Sequence, residues 1–335
     1  MIPPSQLQHY LPQMYLSGFA DSEGCLWVFD RRTSEYRYLA PKRIAAHKNL
    51  YTFEDADGRV RQDIETKLFQ LIDAPVRPIL SAIEAGLRPK DDDLDALALF
   101  IGYLRLRTPG GLHEIEDGYI QSLKLTNPFL SEHSVAKMIQ GYESESGERF
   151  EMSAQEIVER FSSGELELRP AAGHIVSIMA ETGLTVAQYV LSLRWVFLLA
   201  PIGRSFILSD EPFVIEPPIG HNPEASGVGV LTPGVKKYVP LTQRVCLLME
   251  EPDTAKKFEL VQGHDVRRVN CLIALNSNRF VYGSDERLLR RIVGRTVKER
   301  VDRKPEVVVE FIANPAAPEE GLIKVFTKPR VSSQK

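Results

Sequence analysis

Three short stretches carry side chains able to do acid–base or anion chemistry: HYLP at 9–12, RLRTPG at 105–110 and SFILSDEPF at 205–213. A histidine titrates near neutral pH and can shuttle a proton. His9 sits beside Tyr10 and Pro12, so its ring nitrogens could equally anchor the chain start. Arg107 follows Leu104 by three residues and Phe100 by seven, which puts it at the flank of an apolar helical stripe. A guanidinium there needs a carboxylate partner or a bound anion. Ser209 and Asp210 stand where a short apolar strand runs into a proline turn, and side chains at such ends can face a cleft from a fixed backbone. The same residue types are ordinary turn formers, so Asp210 bonded to a nearby backbone N–H is the plainer reading.

Other patterns fail on context. Glu65-Thr66-Lys67 spells half of a nuclease pattern in which an acid holds a metal and a lysine steadies the attacked phosphate. That pattern wants a strand, whereas this one falls on helical periodicity, and a surface ion pair is expected. Arg169 and His174 have an R-x4-H spacing used by some helical ribonucleases, but Pro170 and Gly173 between them favour a loop. Gly227 and Gly229 lack the lysine and hydroxyl of a phosphate loop, no His/Cys cluster has zinc spacing, and no G-x-S-x-G is present.

The charge balance limits what these residues could meet. Lys+Arg 41 against Asp+Glu 45 leaves a net charge of −4, so any nucleic acid contact needs a local patch rather than an overall basic field. With 335 residues, 43% of them hydrophobic, the chain can bury a sizeable core. Cys25, Cys246 and Cys271 lie in apolar runs without CxxC spacing and read as buried thiols of a reducing compartment. MIPPSQLQHY lacks the basic and apolar regions of a secretory signal. The most apolar window, YVLSLRWVFLLAPI at 189–202, is shorter than a bilayer span, carries Arg194 at its middle and reads as a buried helix. A cytoplasmic protein without membrane contact is expected.

The elements that would position these residues follow from periodicity. Pro12 can open a short helix and Gly18 can close it. CLWVFD and EYRYL around RRTS predict a hairpin, and NLYTF with GRVRQ around DADG predicts a second. From Asp63, a good N-cap, the stripe Ile64, Leu68, Leu71 and Ile72 switches to helical spacing. Helices then follow over VRPILSAIEAG, DLDALALFIGYLRLRT, SVAKMIQGY, AQEIVERFSSG and HIVSIMAETG. Beyond Gly203 the texture mixes short strands (SFIL, KKYVPL, RVCLLM, EVVVEFI, LIKVF) with helices over HDVRRVNCLIALNSN and ERLLRRIVGRTVKERV. Strands do not alternate regularly with helices, so the expected class is α+β: a mixed sheet from N-terminal hairpins and C-terminal strands, with a helical middle. The boundaries expected are a single domain over 1–330, divided as 5–62, 63–203 and 204–330, with a frayed tail at 331–335.

The ordered motifs resemble those of a family catalogued as domain of unknown function 4238. His9-Tyr10-Leu11-Pro12 with Tyr15, Leu16 and Phe19, then the hairpin ending in Asp30-Arg31, is similar to that family's opening HY-x-P-x-F-x-L-x-x-F and its Asp-Arg hairpin. The resemblance runs on through Asn49, Tyr51, Ile64-Glu65, Arg107-Thr108-Pro109, Ser209-Asp210-Glu211-Pro212, Tyr238-Val239-Pro240-Leu241 and Leu275-Asn276. Leu208 and Glu211 depart from the usual T-S-D-N-P, and Met14 with Tyr15 from the usual aromatic place. The family carries no settled activity, so the resemblance implies a set of residues and no reaction: His9, Arg31, Glu65, Arg107 and Asp210.

Two functions stay open. In one the protein is a hydrolase acting on a phosphate-containing substrate such as a nucleic acid, with His9 as general acid or base and Arg31 and Arg107 on the phosphate. Glu65 and Asp210 would then orient the histidine or hold a divalent metal, with Ser209 beside them. In the other, the protein is a non-enzymatic binding or regulatory protein, and the same cluster is a salt-bridge network that fixes the N-terminal segment. The cofactor stays open, metal use included.

Overall fold

The computed structural model describes residues 7–54, 59–62, 64–126, 131–163, 165–166, 170–221, 228–251, 256–296, 306–314 and 317–328. The DADG turn, Asp63, Arg169, Gly227 and the expected tail at 331–335 lie outside them.

The chain opens with β1 (Leu7–His9) and α1 (Gln13–Ser17). Pro12 precedes the helix at φ −59°, a position where the missing N–H costs nothing. Tyr15, Leu16 and Phe19 are fully buried and anchor this turn in the core. The first predicted hairpin is β2 (Leu26–Asp30) with β3 (Glu35–Leu39). β4 (Ala46–Lys48) returns to pair antiparallel with β1, and β5 (Phe53–Glu54) with β6 (Val60–Arg61) forms the second hairpin.

The helical middle starts with a π turn, Glu65–Phe69, leading into α2 (Gln70–Asp73). The wider turn shifts the predicted stripe: Phe69 and Ile72 are buried, whereas Leu71 is 77% exposed. Then come α3 (Val76–Glu84), α4 (Asp91–Leu106), α5 (Pro109–Thr126), α6 (Glu132–Ser146), α7 (Ala154–Ser163) and α8 (Ala172–Leu191). His174 lies in the first turn of α8, its ring edge-on to Tyr119 at 4.8 Å. α5 has a mixed polar composition that carries no clear stripe, and the sequence reading passes over it. α4 and α8 pack so closely that a Cβ on Gly102 would overlap the carbonyl of Gly183.

The window 189–202 is a correction. α8 ends at Leu191 and the remainder becomes β7 (Arg194–Leu199), because an apolar run of this length is satisfied equally by a buried strand. Arg194 lies on that strand opposite Glu250 and pairs with it at 3.4 Å. Further strands are β8 (Leu208–Ser209), β9 (Val214–Glu216), β10 (Lys236–Pro240), β11 (Val245–Glu250) and β12 (Lys256–Leu260). α9 (Gly263–Asn276), β13 (Phe280–Gly283), α10 (Glu286–Thr296) and a terminal hairpin, β14 (Glu306–Asn314) with β15 (Ala317–Lys328), complete the chain.

Two sheets organise the molecule. One has strand order β12-β7-β11-β10-β9, with β12 parallel to β7 and the other pairs antiparallel. The second, order β3-β2-β13-β8, is antiparallel and joins the N-terminal hairpin to C-terminal strands, as the α+β expectation required. Its alternation splits the core. Val28 and Tyr282 face the large core with α1 and α4, whereas Phe29 and Val281 face a second core under α9 and α10.

Of the cysteines, Cys246 is buried and Cys25 and Cys271 are half-buried; all three are free thiols. Among the described residues no helix is long and apolar enough to cross a membrane.

Candidate functional site

β1 brings His9 beside the π turn. The backbone N–H of His9 donates to Glu65 Oε1 at 3.0 Å, and the same oxygen lies 3.7 Å from His9 Nδ1. The carboxylate is thus fixed by the backbone of the residue whose ring it faces. The His9 side chain is 12% exposed and its Nε2 is buried with no hydrogen-bond partner. A cleft of about 470 Å³ opens here, its walls including His9, Gln13, Glu65, Phe69, Asp73 and Arg77.

Arg107 lies beneath this cleft, only 1% exposed. Its Nη1 is 3.0 Å from both Oδ1 and Oδ2 of Asp73, and the guanidinium sits over the rings of Phe69 and Phe100 at 5.1 and 5.4 Å. Its Nε and Nη2 have no acceptor. The carboxylate demanded by its place on the stripe is therefore Asp73, which the sequence reading missed. The signal was available: α2 ends in Asp73, on the same side of the helix start as Phe69. Burial raises the Asp73 carboxyl above its ordinary 3.8, with the Arg107 charge opposing. Tyr51 ties the pieces together, its N–H bonded to Gln8 Oε1 at 2.8 Å and its hydroxyl to the Arg107 carbonyl at 2.5 Å.

Asp210, Ser209 and Arg31 are not brought to this cleft. Asp210 accepts the backbone N–H groups of Asn278, Arg279 and Phe280 at 3.0, 2.7 and 2.9 Å, fixing the turn between α9 and β13. Ser209 Oγ donates to the Glu211 carbonyl at 2.9 Å. Arg31 Nη1 donates to Ser277 O at 2.7 Å and Ser277 Oγ at 3.1 Å, so the guanidinium satisfies groups that the end of α9 leaves over. Its neighbour Asp30 binds Arg279 through Nη2 at 2.7 Å and Nε at 3.1 Å. Among the described residues no group of three His, Cys, Asp or Glu side chains could hold a metal, and Glu65 and Asp210 do not converge on one.

The SDEP and RTPG turns meet each other instead. Glu211 accepts from the Thr108 hydroxyl at 2.6 Å and the Gly110 N–H at 3.0 Å, and a Cβ on Gly110 would overlap its carboxylate. Burial, then the Asp210 charge, pushes the Glu211 carboxyl well above its ordinary 4.5. Burial likewise raises Asp210, against the backbone N–H groups that favour its ionised form.

The fold and site define an α+β protein with a His9–Glu65 pair on an open cleft and a separate knot of turn-fixing side chains. A family model described as protein of unknown function (DUF4238) matches residues 7–287, and the chain belongs to that family. Neither a curated protein nor a solved structure matches the chain.

Proposed function

We propose that the cleft beside HYLP is an acid–base site for a phosphate-containing substrate such as a nucleic acid. His9 carries the proton, Glu65 orients its ring, and Arg77 and Arg107 meet the phosphate. The observation behind this reading is the His9 ring, with Nδ1 toward Glu65 and Nε2 buried and unpartnered in the wall of an open cleft. A buried polar atom without a partner is costly, and in a general acid or base it is the atom that meets substrate. The 3.7 Å separation from Glu65 suits a site that tightens on binding. Arg107 adds two unspent buried donors, and Arg77 is exposed at the rim without a carboxylate partner among the described residues.

In hydrolysis, Nε2 takes a proton from the attacking water as the new P–O bond forms and the old one breaks. The protonated ring then returns that proton to the leaving oxygen or to solvent. Because Nε2 is shielded from solvent, substrate reaches it only as the cleft wall gives way. We place the protein in the cytoplasm, a reading supported by its three free thiols.

Long-range proton–nitrogen NMR of the imidazole tests this directly. The ring should be protonated at Nδ1, and its Nε2 signal should move on addition of a dinucleotide or inorganic phosphate. A ring indifferent to both ligands would sink the proposal. The non-enzymatic reading has support of its own, since Arg31, Ser209 and Asp210 direct bonds to the fold. Under it, His9→Ala removes soluble protein rather than ligand response.

A further inference from the structure

α10 carries arginines that the cleft does not use. Arg287, Arg291 and Arg295 recur at every fourth residue and so project from one helical face, about 6 Å apart along the axis. All three are exposed, opposite the buried Leu289, Ile292 and Val293. Arg267 is likewise exposed, on α9, which packs with α10 over the second core. None of these four arginines has a carboxylate partner among the described residues. Arg290 differs: Glu286 holds it at 2.7 Å, and its guanidinium lies 4.0 Å from the Tyr36 ring centroid. In a chain of net charge −4, this is a local concentration of unpaired positive charge.

We propose that Arg287, Arg291, Arg295 and Arg267 form a docking surface for the phosphate backbone of a nucleic acid strand. The one-turn repeat is comparable to the spacing of neighbouring phosphates along a strand. Every free cation in the set is an arginine, whose planar fork matches phosphate oxygens two at a time. A lipid surface fits less well. A helix that lies on a membrane inserts its apolar face, and here that face is buried in the core below Phe29 and Val281. Asp21 and Glu23, bonded to the Tyr38 hydroxyl, place negative charge at the outer strand and limit the footprint there. The surface lies across the β3-β2-β13-β8 sheet from the HYLP segment, so it does not depend on the cleft. Contact through phosphates alone positions a strand without reading its sequence.

Fluorescence anisotropy of the full chain with a labelled single-stranded oligonucleotide, repeated over a salt series, tests the proposal. Affinity should fall linearly on a log–log plot. Replacing the three α10 arginines together (Arg287→Gln, Arg291→Gln, Arg295→Gln) should weaken binding at least tenfold at low salt. It should also reduce the slope by about two, given about 0.7 per phosphate contact on a single strand. The corresponding three Arg→Lys changes should keep most of the slope. Arg160→Gln, which removes an exposed arginine of α7 held by Glu156, should bind like wild type, and the triple glutamine variant should keep the response of the His9 ring to inorganic phosphate, which separates failure here from failure of the cleft reading. Three results would overturn the proposal: wild type without oligonucleotide affinity, the triple glutamine variant binding as tightly as wild type, or stripe-dependent capture by phosphatidylserine vesicles that oligonucleotide does not compete.

Discussion

At the scale of single residues, Asp73 holds the cleft's electrostatics together, because it supplies the only carboxylate that Arg107 touches among the described residues. Removing it strands a buried cation. Asp73→Ala should therefore lower stability by about 3 kcal/mol, measured by urea unfolding, even though the residue is itself partly exposed. Glu211 gives a test by pH. A carboxyl whose folded pKa lies above its unfolded value binds its proton more tightly when folded. It adds stability at low pH that is lost as pH rises from 4.5 through the raised folded value. Wild type should weaken over that interval, and Glu211→Gln should flatten the curve; a variant with an unchanged pH profile would contradict the assignment. Residue types marked His9, Arg107 and Asp210 as worth examining; turn chemistry favoured Asp210 on a nearby backbone N–H, whereas it takes backbone N–H groups from the distant residues 278–280. What residue types do not carry is direction. The resemblance singles out Arg31 and Glu65 alike, yet one satisfies the end of α9 and the other faces a histidine.

At the scale of elements, the π turn decides how the cleft is lined. Five residues with wider hydrogen bonding rotate the stripe, so Phe69 enters the core under Arg107 while Leu71 turns to solvent. Phe69→Ala should cost about 3–5 kcal/mol, whereas Leu71→Ala should change stability by no more than about 0.5 kcal/mol. Thermal unfolding of the two variants checks the register, and equal losses would restore the unshifted helix. Helices with strong stripes, such as α3 and α10, are legible from periodicity alone. The π turn is not, because its insertion keeps the residue types and changes only the phase. The strand at 194–199 shows the same limit: a run apolar on both faces has no period to read.

At the scale of the whole molecule, the sheet β3-β2-β13-β8 joins residues 26–39 to residues 208–209 and 280–283. The Asp30–Arg279 pair and the Asp210 bonds to residues 278–280 sit at that junction. We propose that the three stretches of the chain fold as one unit for this reason. A chain ending before β13 should give no soluble, cooperatively unfolding protein, whereas one whose hairpin and helices unfold separately would count against the proposal. That strands from both ends share a sheet followed from their uneven distribution along the chain; which strands pair is a long-range choice that local pattern does not encode.

Reaction rates test whether His9 moves a proton in the cleft. Wild type and His9→Gln, matched for thermal stability, should be compared on a panel of phosphodiesters and single-stranded nucleic acids. Wild type should turn over at least one of them, and the variant should be slower by about 100-fold or more. A wild type inert on all of them, or a variant that keeps the wild-type rate, would contradict proton transfer by His9.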